Sequence, residues 1–393
     1  MLNIKFSSAS YADTKPHYNI LDGLRGAAAL MVVWYHVFEG FAFAEGMNGV
    51  EGGGLINVFN HGYMAVDFFF ILSGFVIGYA YDDRWKKGEL TTGGFFKRRL
   101  IRLHPMVVFG AVIGVITFLI QGGVQWDGTQ VEGWKVIIAL VCTMLLLPAI
   151  PGAAPEVRGN GEMYPLNGPY WSLFFEYVGN ILYALCIRKL STKKLAVLVW
   201  ILGLGVAAFS LFDMSGANHI GVGWTMAGNN LWGGLLRMSF SYSAGMLICR
   251  VFRPMKMKGA FWICSLSLLV LLGVPHLGAV SGAMWLNGLY DSVCVLFLFP
   301  AILYIGACGS VSGTSERGEK VWKWLGGISY PLYMVHYPIM YLFYAGCWED
   351  GKTFAQTWPV IIAIFIGCIL LAYAVQKLYD EPIRRWLSKR LSL

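Results

Sequence analysis

Long apolar runs, separated by short polar linkers, occupy most of the sequence. Eleven of them reach or approach the roughly 20 residues that a membrane-spanning helix needs: 22–44, 63–81, 104–121, 134–150, 170–187, 195–212, 231–249, 259–275, 286–308, 326–346 and 357–376. The pattern predicts an all-α fold, that of a polytopic helical membrane protein. We expect a single membrane domain over 1–393, with a membrane core at 22–376 and a short basic cytoplasmic tail at 377–393.

The linkers alternate between two compositions, and the alternation predicts the topology. One set is rich in lysine and arginine: 82–103, 188–194, 250–258, 309–325 and the tail from Lys377. By the positive-inside rule these linkers face the cytoplasm, which places both termini there and requires an even number of crossings. Segment 134–150 is short and bounded by Pro148 and Pro151. We therefore predict that it is re-entrant or interfacial, which leaves about ten transmembrane helices.

Composition agrees with a membrane protein. Hydrophobic residues make up 57% of the chain and charged residues 13%, about half the charged share of a soluble protein. The net charge of +8 is explained by the basic linkers, so no nucleic acid partner is expected. The eight cysteines form no cluster with histidine at metal-ligand spacing, and no metal is expected.

The first apolar segment contains two ionisable residues, Arg25 and His36. Eleven helical residues turn the chain by three turns plus about 20°, so both side chains share one face, separated by a rise of about 16 Å. An elongated ligand could lie along this face, with an anionic group at Arg25 and a reactive atom at His36. The alternatives are a snorkelling anchor for Arg25 and a helix-packing hydrogen bond for His36.

The second segment contains Asp67 about one turn below the outer surface, and Ser73 further along. Gly74 and Gly78 follow at helical spacing. Small residues on one face allow another helix or a ligand to approach closely. An acidic side chain inside the membrane indicates either a function or a buried partner.

The fifth segment contains a polar residue every four positions: Ser172, Glu176 and Asn180. This spacing places them on one helix face, which must turn away from lipid. Glu176 lies near the predicted depth of His36, where a carboxylate could orient or polarise the imidazole. A structural polar network is the alternative.

Two later groups of polar residues are also predicted to lie within the membrane. In the tenth segment Ser329, Tyr333 and His336 share a face, and Pro331 and Pro338 make the helix irregular, so buried neighbours must satisfy the freed carbonyl groups. Arg237 and Asp291 lie at similar depths in the seventh and ninth segments. A structural Arg–Asp pair is a reasonable interpretation of those two.

The basic linker "GGFFKRRLIRLHP" places Arg99 and Arg102 at i, i+3, and such paired guanidinium groups suit phosphate. The alternative is that these arginines only provide the positive charge that keeps the linker on the cytoplasmic side. With His36 deeper in the membrane, the arrangement favours an enzyme that uses a CoA thioester. A proton-coupled transporter of a small polar solute is the runner-up, because intramembrane ionisable residues also form proton pathways.

The sequence resembles acyltransferase family 3 of integral membrane O-acyltransferases. The matching stretches follow the family's order: "LDGLRGAAALMVVWYHVF", "AVDFFFILSGFVIGY", "FFKRRLIRLHP", "WSLFFEY", "LRMSFSYSAGMLI", "SYPLYMVHYP" and "EPIRRW". Its motif of Arg, ten residues and His is matched by Arg25 and His36, and its R-x-x-R motif by Arg99 and Arg102. The resemblance implies about ten membrane helices and transfer of an acyl group, by default acetyl, from cytoplasmic acyl-CoA.

The resemblance also implies a hydroxyl acceptor, on a glycan, a lipid-linked sugar or a macrolide-like small molecule, and a bacterial inner membrane. Many members carry an extracytoplasmic esterase-like domain after the last helix; we expect a stand-alone membrane domain here. Combining both lines of argument, we expect catalysis by His36, Glu176 and Asp67. We expect acyl-CoA binding by Arg25, Arg98, Arg99, Arg102 and Ser73, and acceptor binding by Ser172, Asn180, Tyr333, His336, Arg237, Asp291 and Trp171.

Overall fold

The structure is a computed structural model that describes residues 17–44, 60–277, 282–311, 315–352 and 354–391. Thirteen α-helices follow one another in these ranges: α1 (Asn19–Ala44), α2 (Ala65–Lys86), α3 (Thr92–Ile120), α4 (Gly133–Met144), α5 (Tyr170–Leu185), α6 (Thr192–Leu211), α7 (Asn230–Val251), α8 (Ala260–Gly273), α9 (Trp285–Val293), α10 (Phe299–Val311), α11 (Glu316–Glu349), α12 (Phe354–Val375) and α13 (Glu381–Arg390). Within the described ranges the only β-type pairings are two isolated bridges. The predicted all-α class is confirmed.

Among the described residues, six helical stretches are long and apolar enough to cross a membrane: Asn19–Gly40, Gly62–Lys86, Thr92–Ile120, Thr192–Leu211, Trp285–Val311 and Ala355–Arg390. Helices α9 and α10 form one of them through a π-helical turn at Cys294–Leu298, and α12 continues into α13 through another at Gln376–Asp380. The count of about ten crossings and the cytoplasmic termini remain predictions. The outermost residues of both termini lie outside the described ranges.

The segment predicted to be re-entrant forms a short helix. Helix α4 has 12 residues, a length of about 18 Å at 1.5 Å per residue, against a hydrocarbon core of about 30 Å. The chain leaves α4 through Leu146, which adopts a positive φ of 53°. A regular helix of this length does not span a bilayer by itself, and the re-entrant or interfacial role of the segment remains a prediction.

Large apolar side chains on the outer helices are exposed, as lipid-facing positions are. On α6 they include Val197, Trp200, Ile201 and Leu204. In a soluble protein, a surface this apolar would bind a partner or aggregate. Together with the candidate spans, it makes the protein an integral membrane protein.

Two close helix pairs organise the interior. Helices α2 and α7 approach until a Cβ on Gly74 would collide with the carbonyl oxygen of Tyr242, and one on Gly245 with that of Ile71. The close approach predicted for the Gly74 face is thus confirmed. Helices α1 and α11 run parallel, since Leu325 packs over Gly26 and Trp348 Nε1 donates to the carbonyl oxygen of Gly40.

Candidate active site

The face of α1 that carries Arg25 packs against α11. Arg25 Nε donates to Ser329 Oγ at 2.9 Å, and its Nη2 donates to the carbonyl oxygen of Gly326 at 3.0 Å. Asp22, one turn earlier, lies 3.0 Å from the same guanidinium. The Arg25 side chain nevertheless stays 28% exposed, so it is partly accessible to a ligand.

Further along the same face, His36 and His336 form a hydrogen-bonded chain. His336 Nδ1 lies 3.0 Å from the carbonyl oxygen of Leu332 and 3.1 Å from that of Tyr333. Carbonyl oxygens only accept, so Nδ1 of His336 carries a proton and its Nε2 is an acceptor. That Nε2 lies 2.9 Å from Nδ1 of His36, which therefore donates. With both rings neutral, the remaining nitrogen, His36 Nε2, is left unprotonated, the form that a general base requires.

A proline shapes the part of α11 that carries His336. Pro338 lies inside the helix and cannot donate to the carbonyl oxygen of Met334, four residues earlier. Asn167 Nδ2 donates to that oxygen instead, at 2.8 Å. The expectation that a buried neighbour satisfies a carbonyl freed by proline is confirmed here. The bond also ties the loop before α5 to the backbone beside His336.

Glu39 is the carboxylate closest to the base, and the sequence argument missed it. Its Oε2 lies 3.8 Å from His36 Nε2. Tyr35 donates to Glu39 Oε1 at 3.3 Å and Tyr337 to Oε2 at 3.4 Å. Glu39 follows His36 by three residues, which places both on one helix face. This three-residue spacing could have identified Glu39 from the sequence. It was overlooked because Glu39 lies near the end of the apolar run, where acidic residues are common.

Glu176 has a different partner from the one predicted. Arg99 Nη2 donates to Glu176 Oε1 at 2.6 Å, and Ser73 Oγ donates to the same oxygen at 3.0 Å. The expectation that Glu176 orients His36 is therefore corrected: the residue hydrogen-bonded to His36 is His336. Arg99 is buried and Arg102 is exposed. The two arginines of the R-x-x-R motif thus point to different surroundings, and Arg99 is occupied by an internal ion pair.

Asp67 also has a partner other than His36. It accepts two bonds from Arg237, from Nε at 3.1 Å and from Nη2 at 2.5 Å. Arg237 further donates to the carbonyl oxygens of Val222 and Tyr63, and its guanidinium carbon lies 5.6 Å from the Trp171 ring centroid. This saturated ion pair joins α2, α7 and the loop between α6 and α7, so the predicted role of Asp67 in assisting His36 is corrected to a structural one.

The predicted Arg237–Asp291 pair is likewise corrected. Tyr63 Oη donates to both carboxylate oxygens of Asp291, at 3.0 and 2.9 Å, and the Ile220 backbone N–H donates to Oδ2 at 2.9 Å. His61 Nε2 lies 3.6 Å from Oδ1. Asp291 therefore anchors the loop between α6 and α7 and the turn before α2 to α9. A sequence pattern could not identify these partners.

The polar stripe of α5 faces the protein interior, as predicted. Ser172 donates to the carbonyl oxygen of Pro169 at 2.9 Å, so in its 2.6 Å contact with Tyr333 the tyrosine donates. Asn180 Oδ1 accepts from Tyr242 at 3.1 Å. Each residue of the stripe contacts a different helix: Ser172 reaches α11, Glu176 reaches α2 and α3, and Asn180 reaches α7.

The arrangement is suited to proton transfer deep in a helical membrane domain. An unprotonated imidazole nitrogen, a nearby carboxylate and a partly open arginine lie along one face of α1, beneath lipid-facing helices. These features are those of an integral membrane enzyme.

Comparison with protein families identifies the kind of enzyme. A model of the acyltransferase domain matches residues 18–377. The chain belongs to acyltransferase family 3, and it is a membrane O-acyltransferase. The resemblance inferred from the motifs is thus confirmed.

Three relatives illustrate the similarity. The chain is 26% identical to acyltransferase MdmB of Streptomyces mycarofaciens over 410 residues, covering 94% of this chain and 92% of the relative. It is 32% identical to protein 2 in the picA locus of Rhizobium radiobacter over 186 residues, 46% of this chain and 87% of that protein. It is 34% identical to peptidoglycan O-acetyltransferase OatA of Listeria monocytogenes over 97 residues, 24% of this chain and 13% of OatA. No solved structure matches the chain significantly.

Proposed function

We propose that the protein transfers an acyl group, acetyl by default, from cytoplasmic acyl-CoA to a hydroxyl group of a glycan or lipid-linked sugar, with His36 as general base. The proposed setting is a bacterial inner membrane. Membership of an acyltransferase family favours this function over the transporter alternative.

In the proposed reaction, His36 Nε2 takes the proton of the acceptor hydroxyl as its oxygen attacks the thioester carbonyl carbon. The C–O bond forms, the C–S bond breaks, and the CoA thiolate leaves. The imidazolium then returns its proton to the thiolate. Glu39, 3.8 Å from Nε2, stabilises the imidazolium while it exists.

One observation carries this proposal: the chain from the Leu332 and Tyr333 carbonyl oxygens through His336 leaves the lone pair on the far nitrogen of His36. Its side chain is 13% exposed, although the surrounding helices are packed. We infer that a substrate atom reaches the ring through this accessible part. Arg25 lies on the same helix face, in position to hold an anionic part of the donor.

The acceptor class is supported by one relative. OatA is named a peptidoglycan O-acetyltransferase, so a glycan hydroxyl and an acetyl group are the natural first candidates. The matched stretch is short, and the proposal for this chain therefore extends to glycan and lipid-linked sugar hydroxyls as a class.

The first test is acetyl-CoA binding by the purified protein in lipid nanodiscs, measured by calorimetry for wild type, Arg25→Ala and His36→Ala. We expect binding that weakens in Arg25→Ala, because a cationic contact is lost, and that survives in His36→Ala. Arg253→Ala, which removes an exposed arginine of the 250–258 linker, is the matched control. A folded wild-type protein that does not bind acetyl-CoA would overturn the proposed donor.

A further inference from the structure

A basic cleft opens where the ends of α2 and α3 meet the C-terminal helix α13. Its volume is about 760 Å³, within the range of small-molecule sites. Six basic side chains line it: Arg84, Arg98, Arg102, Arg384, Arg385 and Lys389. Helix α13 lies in the segment predicted to be a short basic tail, so folding turns this tail into one wall of a cavity.

The positive charge of the cleft is mostly uncompensated. Its one lining carboxylate, Glu381, is paired with Lys377 at 2.6 Å, and Arg384 is paired with Asp380 at 2.6 Å. In the described part of the chain, no ion pair joins Arg84, Arg98, Arg102 or Lys389 to a carboxylate.

Two guanidinium N–H groups in the cleft are also unsatisfied. The Nε atoms of Arg98 and Arg384 are buried, and neither has a hydrogen-bond partner among the described residues. Gathering like charges and leaving donors unpaired both cost free energy unless an anion binds. Guanidinium groups bind phosphate oxygens particularly well, because their paired donors match the geometry.

One residue of the cleft lining, Arg102, lies near two arginines of the candidate active site. Arg102 is close enough to Arg25 and Arg99 for their charges to interact. From Arg25 the shared face of α1 leads about 16 Å to His36. Tyr81, also in the lining, offers an aromatic face on which a nucleobase can stack. A ligand with several phosphates at one end and a long neutral arm would fit this path.

We propose that this cleft binds the 3′-phosphorylated adenosine diphosphate end of the acyl-CoA donor, and that Arg385 and Lys389 of α13 contact its phosphates. This inference rests on the proposed function and locates the donor's nucleotide within it. An anionic lipid headgroup is the other phosphate-bearing ligand that this cleft would suit. The experiment below separates CoA from such a lipid.

The test compares CoA with 3′-dephospho-CoA, by calorimetry, on wild type and on Arg385→Ala/Lys389→Ala in phosphatidylcholine nanodiscs. Both side chains are exposed and lie one turn apart, so the fold should be unaffected. We expect CoA binding to weaken about tenfold, as for loss of a charged phosphate contact, and 3′-dephospho-CoA binding to weaken less. Arg253→Ala is the control for a cytoplasmic cation outside the cleft.

Unchanged CoA affinity in the double variant would overturn the inference while leaving the proposed function intact. Unchanged CoA affinity together with loss of bound phosphatidylglycerol in native mass spectrometry would assign the cleft to a lipid headgroup instead. A wild-type protein that binds neither CoA nor 3′-dephospho-CoA would contradict the proposed function itself.

Discussion

Two of the polar clusters inside the helical bundle differ in how completely their groups are paired. In the Asp67–Arg237 cluster, both side chains are almost fully buried, and the guanidinium donates to a carboxylate and two carbonyl oxygens. In the His36–His336 cluster, a directed chain of donors ends at the unprotonated nitrogen of His36, whose side chain is 13% exposed. The first cluster has nothing left to offer a substrate, whereas the second has one free lone pair.

The difference shows that charge inside a membrane is not by itself a sign of catalysis. A buried ion pair that is broken on one side leaves an uncompensated charge. A base, in contrast, must keep one position open. Substitutions should therefore separate the two clusters by their effects on stability and on turnover.

The largest expected effect is on turnover. His36→Ala removes the base, and general-base catalysis contributes about 100- to 10,000-fold. We expect a loss of CoA release of that order from acetyl-CoA mixed with a glycan and lipid extract of the native host, with little change in the unfolding temperature. A matched loss of thermal stability would instead place His36 with the structural cluster.

Asp67→Asn should act mainly on stability, whereas His36→Ala acts on turnover. It leaves the Arg237 guanidinium buried without its counter-charge, which typically costs about 3–5 kcal/mol. The measurement is the unfolding temperature in nanodiscs, compared with Asp350→Asn, which removes only an exposed pair with Lys352. The exposed pair should contribute about 1 kcal/mol or less. Equal shifts in the two variants would contradict the structural role of Asp67.

His336 should act as a positioning residue. His336→Ala removes the acceptor that holds the Nδ1 proton of His36, and we expect the transfer rate to fall roughly 10- to 100-fold, by analogy with other groups that orient a functional histidine. The apparent KM for acetyl-CoA should not change. His336→Gln should recover part of the rate because its amide oxygen can accept the same proton. A His336→Ala change confined to KM would argue for a binding role instead.

The last prediction concerns the pH dependence of stability and two loop histidines, His61 and His219. Burial lowers the pKa of His219 to about 3 and that of His61 to about 4. The unfolded chain then binds more protons below pH 6.5, so stability is complete above that pH and is lost as pH falls toward 4. The slope is at most about 1.4 kcal/mol per pH unit for each histidine.

Unfolding temperatures measured between pH 7.5 and 4.5 check this prediction. His219 Nδ1 accepts from the Gly221 N–H at 2.9 Å, a bond that a protonated ring loses. His219→Asn keeps an acceptor but does not titrate, and should flatten the dependence. An unchanged slope in this variant would remove His219 from the explanation.

Parts of this arrangement could be predicted from sequence because they depend on helical periodicity alone. The shared face of Arg25 and His36, the α5 stripe and the Gly74 contact all follow from residue spacing within one helix. The partners could not be predicted in this way. His36 and His336 are 300 residues apart, and which carboxylate meets which cation depends on how separate helices pack.

The ends of some helices could not be predicted from the sequence either. Helix α11 begins at Glu316, ten residues before the predicted apolar segment. The prediction missed this part because the stretch "ERGEKVWKWL" is too rich in charged residues to register as apolar. Helix α13 was predicted only as a basic tail for the same reason. Hydropathy detects the lipid-embedded part of a helix, and its polar extension, where the basic cleft lies, carries no such signal.

One measurement tests the central claim most directly: CoA release from acetyl-CoA by purified His36→Ala protein as imidazole is added, with Asp67→Asn measured beside it. If His36 is the general base, the rate without imidazole is close to background and rises with imidazole, whereas Asp67→Asn shows no such rise. A folded His36→Ala protein that releases CoA at the wild-type rate without imidazole would contradict the account.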